Sequence, residues 1–384
     1  MVDYLPQSGC RDNAFSAGEA QALGVAVTAA PRREDVGRCH IASLSVPCRL
    51  GVLAVVLAGV SRSACASGFY LTEQSVSTVG RASAGQAVVA ADAGTVVSNP
   101  AGMTELEGAQ VLAGVNILLP KTSFRNRGSS AATPGTGGSE LAYAGSSGGN
   151  PFGVEALPSA YAALPLLGSD LWLGIGVASP FGLSLDYGSD WFGRYDSIES
   201  SLSTVDVATA VAYRLMDGLS LGAGVNVQSI DVRLTSAVPD TLAPGGPAAA
   251  SDGRSVLRGD DVSLGFNAGI LVKPMAGTRI GLHYRSAITH TLKGRVSTSG
   301  LGGTLASANG SADAKAEIRL PDIVSAAVAQ AIGGRLTLFG EVQWFNWSRF
   351  GEVRVRLQGS EDGDLVLPQD YRDSWAVALG GEYR

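Results

Sequence analysis

Side chains able to perform nucleophilic or acid–base chemistry are sparse after residue 66. That part of the 384-residue chain contains two histidines, His283 and His290, and no cysteine. Hydrolytic sites need a nucleophile and a histidine within hydrogen-bond reach, and no nucleophile motif accompanies either histidine. Thiolate metal sites are excluded there because cysteine is absent. The sequence therefore predicts no enzyme, no metal and no cofactor.

The cysteines all lie before residue 66, at positions Cys10, Cys39, Cys48 and Cys65. A thiol-free remainder suits an oxidising periplasm, although the general rarity of cysteine leaves chance as an alternative. The net charge of −6 argues against nucleic acid as a partner, since phosphate backbones are bound by basic faces.

A short apolar segment, residues 51–60, follows Arg49 and precedes the small-residue pattern Ala64-Cys65-Ala66. A helix that spans a bilayer needs about 20 apolar residues, so this segment is too short to form one. Its flanks indicate a signal peptide over residues 49–66, cleaved after Ala66. Residues 1–48 are interpreted as a disordered or wrongly assigned extension, with a real cytoplasmic extension as the alternative.

Apolar residues alternate with small or polar residues over much of the chain after residue 108. Along residues 219–228, leucine, alanine and valine occupy one face, while serine, glycine, asparagine and glutamine occupy the other. The segment 262–272 has the same pattern. This period of two predicts β-strands that have one face in apolar surroundings.

A soluble β-sandwich and a transmembrane barrel both fit such strands. The barrel is favoured by the strand lengths, by a second face suited to a lumen, and by the signal peptide. Aromatic residues near strand ends would form the interfacial girdles of a barrel. These residues are Trp172, Trp344, Trp347, Trp375 and Tyr383. The sequence thus predicts an all-β protein, an antiparallel transmembrane barrel of a bacterial outer membrane.

Short turns and long loops alternate between the predicted strands, as periplasmic turns and extracellular loops do in such barrels. The short turns are residues 216–218, 274–277 and 332–334, and the Gly- and Ser-rich loops are 128–150, 238–253 and 299–312. About ten strands fit between residues 109 and 384 at this spacing. Residues 67–108 do not alternate, and a segment of this size before the first strand could plug a barrel.

Several motifs resemble those of the FadL/TodX family of long-chain fatty acid and hydrocarbon transporters. The resemblance covers nearly all of residues 67–384 and depends on the number and order of the motifs. The motifs include Gly80-Arg81-Ala82, Asp92-Ala93-Gly94, Asn99-Pro100-Ala101, Ala178-Ser179-Pro180-Phe181-Gly182, Tyr284-Arg285-Ser286, Leu320-Pro321-Asp322 and Trp344-Phe345-Asn346-Trp347.

The resemblance implies a barrel of about fourteen strands, plugged by an N-terminal hatch over residues 67–108. About four further strands would then be expected beyond the ten predicted here. The chain is accordingly expected to be a truncated product, with residues 109–384 forming an incomplete set of barrel strands. An unclosed sheet would leave unpaired edges in lipid.

The resemblance also implies a route for the ligand, from an extracellular groove to an internal apolar pocket and then sideways through the wall. The exit would be a kink in the third strand, residues 171–187, formed by Pro180, Phe181 and Gly182. Proline cannot donate to a strand ladder, which supports an interruption there, although Pro180 could instead mark a strand end. The triplet Asn99-Pro100-Ala101 would mark where the hatch meets the barrel near the exit, with a plain turn as the alternative.

A buried carboxylate needs a cation or hydrogen-bond donors. Matching to the family places Arg354 at the position of a basic carboxylate ligand and Ser179 at that of a polar pocket residue. Arg233 lies near the position of a second basic ligand, although Ser236 falls closer in a gapless match. Arg354 and Arg356 alternate on one strand face, so an ordinary lumen or rim position is the alternative for Arg354.

These observations together predict a monomeric barrel in the outer membrane of a Gram-negative bacterium, in contact with membrane lipid. Its function would be the uptake of long-chain fatty acids or other hydrophobic small molecules. The alternatives are an aromatic hydrocarbon channel, a general diffusion porin and an inactive truncated product.

Overall fold

The computed structural model describes residues 68–128, 130–132, 140–142, 144–166, 170–240, 242, 248–357 and 365–383. The predicted signal peptide, residues 49–66, and the extension before it lie outside these ranges. Most of the described chain is β-strand. The short helices are α1 Val76–Val79 and α2 Thr95–Ser98, and 3-10 helices span Pro100–Glu105, Gly303–Ala308 and Trp347–Arg349.

The strands form one antiparallel sheet, apart from the small hairpin β2–β3. They are β1 Gln110–Leu118, β2 Ser130–Ala132, β3 Glu140–Ala142, β4 Glu155–Leu166, β5 Leu171–Ala178, β6 Gly182–Asp186, β7 Glu199–Met216, β8 Leu219–Val238, β9 Gly253–Met275, β10 Thr278–Arg285, β11 Ile288–Ser299, β12 Gly310–Leu320, β13 Ile323–Ile332, β14 Leu336–Phe345, β15 Glu352–Leu357, β16 Leu365–Pro368 and β17 Ser374–Tyr383.

The sheet consists of ten strands, because five of them are interrupted and each of these contributes two segments. The interrupted strands are β5–β6, β10–β11, β12–β13, β14–β15 and β16–β17. The total of ten strands agrees with the sequence prediction, and the predicted antiparallel barrel architecture is confirmed. Within the described ranges, no helix combines the length and apolarity that a helical membrane crossing requires.

Residues 68–108, which we call the hatch, lie against the inner face of the sheet. Val96 and Met103 pack with Tyr161 and Trp172 in one buried cluster. A second cluster joins Ala87 and Val88 to the walls formed by β9, β13 and β14. Both ends of the sheet also contact the hatch, since a Cβ at Gly114 on β1 would lie 2.9 Å from Val76 and one at Gly380 on β17 would lie 2.8 Å from Ala84. The sheet therefore curls around the hatch.

Short turns connect the strands at one end of the sheet, as the sequence indicates. The β7–β8 and β9–β10 turns contain Gly218 and Gly277, whose φ angles of +83° and +80° are accessible to glycine at little cost. The long loops all lie at the opposite end. This asymmetry makes the loop end the extracellular side.

The alternation of apolar residues changes face partway along the strands. On β8, Val225 and Val227 are exposed on the outer face, while Asn226 and Gln228 are buried inside. Nearer the loop end of the same strand, Ile230 and Val232 are buried inside and the charged residues face outward. The strand keeps its register with β9 throughout, so the pattern inverts without a bulge. We call this change the pattern inversion.

Physically, the pattern inversion separates two environments. Below it, toward the short turns, the outer face contacts lipid and the inner face is polar or meets the hatch. Above it, the outer face is charged and the interior is apolar. The small and polar inner face predicted for segments such as 219–228 is therefore found in the lower part of the barrel, and it does not continue into the upper part.

Two of the predicted girdle residues are also misplaced by the sequence interpretation. Trp172 and Trp347 are 1% and 0% exposed and point into the interior. Trp375 and Tyr383, at 64% and 73% exposure, face outward as predicted. Trp347 follows the break after β14, where the chain turns inward in a 3-10 helix, so the strand alternation no longer determines its direction.

Candidate functional site

The third sheet strand is interrupted at Ser179-Pro180-Phe181, between β5 and β6. Strand β5 pairs with both β4 and β7, whereas β6, among the described strands, pairs only with β7. The strand resumes beyond Pro180 against the same neighbour, so Pro180 does not end it. A gap in the sheet ladder consequently lies between β6 and the start of β4; we call it the side gap.

The first described residues of the hatch occupy the side gap. The backbone N–H of Leu71 donates to Pro180 O at 2.9 Å, and the N–H of Gly182 donates to Phe69 O at 3.1 Å. Tyr70 and Phe181 form an antiparallel bridge between these bonds. On the other side, Phe181 N–H donates to Thr204 Oγ1 at 3.0 Å. The hatch thus supplies a short extended segment that pairs with the kink and with the first residue of β6.

Aromatic rings surround Phe69 inside the barrel. Its ring centroid lies 4.8 Å from Trp347, 5.4 Å from Phe350 and 6.1 Å from Phe181, all in edge-to-face geometry. Tyr371 completes this group, which we call the aromatic site. A Cβ at Gly68 would lie 2.6 Å from the Trp347 ring, so only glycine allows the hatch backbone to pass here.

Trp347 has an unusual polar feature for so buried a residue. Its indole Nε1 is buried and has no hydrogen-bond partner among the described residues. A buried donor without an acceptor costs about 1–3 kcal/mol, so the aromatic site is suited to a ligand that brings an acceptor.

A polar network adjoins the aromatic site. Arg285 and Asp206 form an ion pair in which both side chains are at most 6% exposed. Asn226 donates to Asp206 at 3.2 Å, and Asn267 donates to Asn226 at 2.7 Å. Burial raises the pKa of the Tyr70 phenol, and the positive charge of Arg285 opposes that rise. Arg285 is therefore a buried cation near the hatch segment in the side gap.

The three predicted ligand residues are not brought together by the fold. Ser179 is half-buried in the kink. Arg354 lies on the outer face of β15, 46% exposed and paired with Glu352, while Val353 and Val355 face inward. Arg233 lies on the outer face of β8, 3.2 Å from Glu199, whereas Ser236 belongs to the inner face.

Arg285 belongs to the motif Tyr284-Arg285-Ser286, which resembles the family but does not by itself assign a role to the arginine. The available signal was the alternation along β10, because Arg285 lies two residues after His283 and therefore on the same face of the strand. Both side chains are buried, which makes this the inner face. For Arg354, the flanking valines were the available signal, because an apolar interior at that height places the arginines outside.

The triplet Asn99-Pro100-Ala101 joins the hatch to the wall at another point. Asn99 Nδ2 donates to Ala87 O at 2.7 Å and to Ile270 O on β9 at 3.2 Å, and its Oδ1 accepts from Ala101 N. Pro100 begins the 3-10 helix that follows. The contacts with the wall are to β9 and, through Leu282 O, to β10, and neither strand borders the side gap.

On the extracellular side, one buried arginine ties three loops together. Arg194 is paired with Asp252 at 2.9 Å, both 3% exposed, and donates to Ala144 O at 2.7 Å. Tyr195 also donates to Asp252, at 2.8 Å. The neighbouring rings of Trp191 and Tyr187 stack at 3.9 Å. The described parts of these loops are thus joined by a buried ion pair and carry stacked aromatic rings.

Comparison with known proteins gives one consistent result. Residues 57–384 match the family model described as outer membrane protein transport protein (OMPP1/FadL/TodX). An outer membrane protein of Neisseria meningitidis is 30% identical, with 87% of this chain and 77% of that protein covered. The long-chain fatty acid transport protein of an Escherichia coli strain is 25% identical, over 86% and 77% of the two chains.

Solved structures show the same fold. A FadL homologue of Pseudomonas aeruginosa superimposes with a TM-score of 0.70 at 23% identity, covering 83% of this chain and 78% of that one. The toluene transporter TbuX of Ralstonia pickettii gives a TM-score of 0.56 at 19% identity, covering 78% and 79%.

Proposed function

The chain belongs to the OMPP1/FadL/TodX family of outer membrane transport proteins, and we propose that its cargo is a long-chain fatty acid that leaves through the side gap. Family membership makes it an outer membrane β-barrel that transports hydrophobic compounds, and not an enzyme. Relatives and fold neighbours include proteins named for fatty acids and for toluene, so the cargo itself is argued below from the site.

The observation that carries the proposal is the hatch segment in the side gap, with its phenylalanine in an apolar interior. Phe69 fills a volume bounded by aromatic rings and lies below the buried aliphatic residues of the upper barrel. An acyl chain that descends through that interior would reach Phe69 and compete for the same contacts. Displacing Phe69 would also remove the segment that occupies the gap, so cargo arrival and opening would be coupled.

A carboxylate has partners at this point. The Trp347 indole N–H lacks an acceptor, and Ser179 offers a hydroxyl at the kink. Arg285 supplies a buried positive charge nearby, already balanced by Asp206. We propose Trp347 and Ser179 as carboxylate donors and Pro180, Phe181 and Gly182 as the exit. Arg354 and Arg233 remain predictions, and their outward placement gives them no part in this arrangement.

An aromatic hydrocarbon is the second candidate cargo, because the site that holds Phe69 is built from edge-to-face rings suited to another ring. Such a cargo has no use for the Trp347 donor. Trp347→Phe keeps the ring and removes only the N–H, so it separates the two candidates.

The test is uptake of radiolabelled oleate and toluene by cells that lack their own transporters of this class. We expect Trp347→Phe to lower oleate uptake roughly tenfold at limiting oleate, in line with loss of a charge-assisted hydrogen bond, and to leave toluene uptake unchanged. Equal uptake of oleate by both proteins would contradict the carboxylate role. Flux of hydrophilic sugars into liposomes without either uptake would indicate a general porin, and no flux at all an inactive product.

A further inference from the structure

Cations stand in register on the outer face of the barrel, above the pattern inversion. Arg233 on β8, Arg258 on β9 and Arg295 on β11 lie directly opposite one another. Immediately below them along β11, a second row starts at Lys293 and continues with Lys315 on β12 and Arg356 on β15. We call these six residues the cationic rows.

The height of the cationic rows follows from their strands. On β9, the outward positions run from Phe266, Leu264 and Val262, all more than half exposed, to Asp260 and Arg258. On β9 the aliphatic outer surface therefore ends at Val262, two residues below the level of the second row, whereas on β12 the outward positions below Lys315 are Glu317 and Arg319. Since the rows lie toward the long loops, they are at the level of the head groups of the outer leaflet.

Rows of like charge are unfavourable for the protein alone. Residues directly opposite on antiparallel strands have Cβ atoms about 4.5–5.5 Å apart, and like charges at that distance are destabilising. Arg295 is compensated by Asp313 at 3.3 Å and Arg233 by Glu199 at 3.2 Å. Within the described ranges, no carboxylate lies within 4.0 Å of the charged nitrogens of Arg258, Lys293 or Lys315.

We propose that the cationic rows bind the phosphate groups of lipopolysaccharide in the outer leaflet. A phosphate placed over the junction of the two rows would meet Arg258, Lys293 and Lys315 together, and arginine is suited to bidentate contact with phosphate. The acyl chains of the same molecule would lie against Val262 and Leu264 just below. A phosphorylated glycolipid fits both the charged and the aliphatic part of this surface, whereas free phosphate fits only the first.

This inference depends on the outer membrane location and not on which cargo is carried. Acidic residues also occur on this face, among them Asp231 and Asp260 at one end of the second row. The competing interpretation is a solvated surface of exposed ion pairs, which bind no particular anion and contribute little to stability.

The first experiment uses the unaltered full-length protein in detergent. Native mass spectrometry counts bound lipid after addition of hexa-acylated lipid A, dephosphorylated lipid A or inorganic phosphate. We expect retention of lipid A that millimolar inorganic phosphate does not displace and that is lost when the lipid phosphates are removed. Equal retention of phosphorylated and dephosphorylated lipid, or none of either, would overturn the proposal.

The second experiment compares two triple variants that remove the same charge. Lys293→Ala/Lys315→Ala/Arg356→Ala disrupts the second row, whereas Lys121→Ala/Arg125→Ala/Arg127→Ala removes three exposed cations of the loop after β1, on the same side of the membrane. We expect the first triple to bind lipid A roughly tenfold to hundredfold more weakly and the second to bind like the parent. Equal loss in both would show that only net charge matters.

Folding of each variant is checked by its heat-dependent shift on gels, which does not depend on the identity of the cargo. Should the triple variant not fold, the conservative set Lys293→Arg/Lys315→Arg/Arg356→Lys is compared with the single Lys315→Glu. Retained binding in the first and lost binding in the second are expected, and the reverse would contradict the proposal.

Discussion

Locking the hatch segment into the side gap should stop transport reversibly. Tyr70 and Phe181 are directly opposite in an antiparallel bridge whose hydrogen bonds flank the pair. Opposed residues of this kind have Cα atoms about 4.5–5.5 Å apart, within the range that a disulfide spans. After residue 66 the chain has no other cysteine, so Tyr70→Cys/Phe181→Cys introduces a single possible bond in that part.

The magnitude follows from what the segment must give up when it leaves. Reburial of Phe69 is worth about 2–3 kcal/mol, and each of the two backbone hydrogen bonds adds about 1 kcal/mol. An opening cost of about 4–5 kcal/mol leaves roughly one molecule in a thousand open without cargo, since 1.4 kcal/mol corresponds to a factor of ten. Cargo that replaces Phe69 can supply that amount, whereas no cargo can break a disulfide.

The assay is oleate uptake by cells carrying the double cysteine variant, before and after treatment with a reductant. We expect background uptake when the bond is formed and recovery on reduction, so the reduced protein is its own control for loss of the two aromatic rings. Ser297→Cys/Ser311→Cys is the matched control, because it joins opposed residues of β11 and β12 that do not touch the hatch. Unimpaired uptake by the oxidised Tyr70→Cys/Phe181→Cys protein would refute the coupling of cargo to hatch movement.

Three further outcomes are expected. Gly269→Ala places a Cβ against the Asn99 carboxamide and should loosen the hatch, raising hydrogen exchange of residues 84–101, whereas Gly302→Ala, with open space around it, should not. Asp252→Ala leaves Arg194 buried without its carboxylate partner and should cost about 3–5 kcal/mol of loop stability. Hydrogen exchange or limited proteolysis of residues 187–198 measures the loss. Unchanged protection of these residues would contradict the role given to the pair. Burial raises the pKa of Tyr195 to about 12 from its ordinary 10.0. The stability that its neutral phenol contributes should therefore be constant below pH 10 and decline as the pH rises toward 12. Tyrosinate absorbance measures the titration, and a midpoint near 10 would show that the phenol is exposed.

The predictable part of this fold is the part in which one rule holds. Period-two alternation predicts the strands, and short glycine-containing segments such as 216–218 predict the turns. In the structure Gly218 has the positive φ that such a turn requires. That rule assumes that apolar residues face lipid, which holds for Val225 and Val227 but fails for Val353 and Val355. The environment outside the upper barrel is aqueous and its interior is apolar, and no local pattern states on which side of the boundary a residue lies.

The same difficulty explains the outcome for the candidate site. The kink at Pro180 was predictable because proline acts on its own backbone. Which arginines are buried was not predictable, because burial of Arg285 depends on Asp206, 79 residues away in sequence, and exposure of Arg354 depends on the environment outside the upper barrel. Trp347 was placed in the girdle because its sequence position resembles a strand end, although the chain leaves the sheet there.

The pattern inversion has a consequence for how the chain tolerates change. A charged substitution at an outward site below it, such as Val225, should cost about 2–4 kcal/mol near the bilayer midplane. At outward sites above the pattern inversion, such as Asp231, a charged side chain is in water and should cost little. There the inward sites become the ones at which a charged substitution is costly. A mutational scan of β8 should therefore show tolerance alternating with a period of two and reversing phase near residue 229. The position of that reversal, read strand by strand, would trace the height of the outer membrane surface on the barrel.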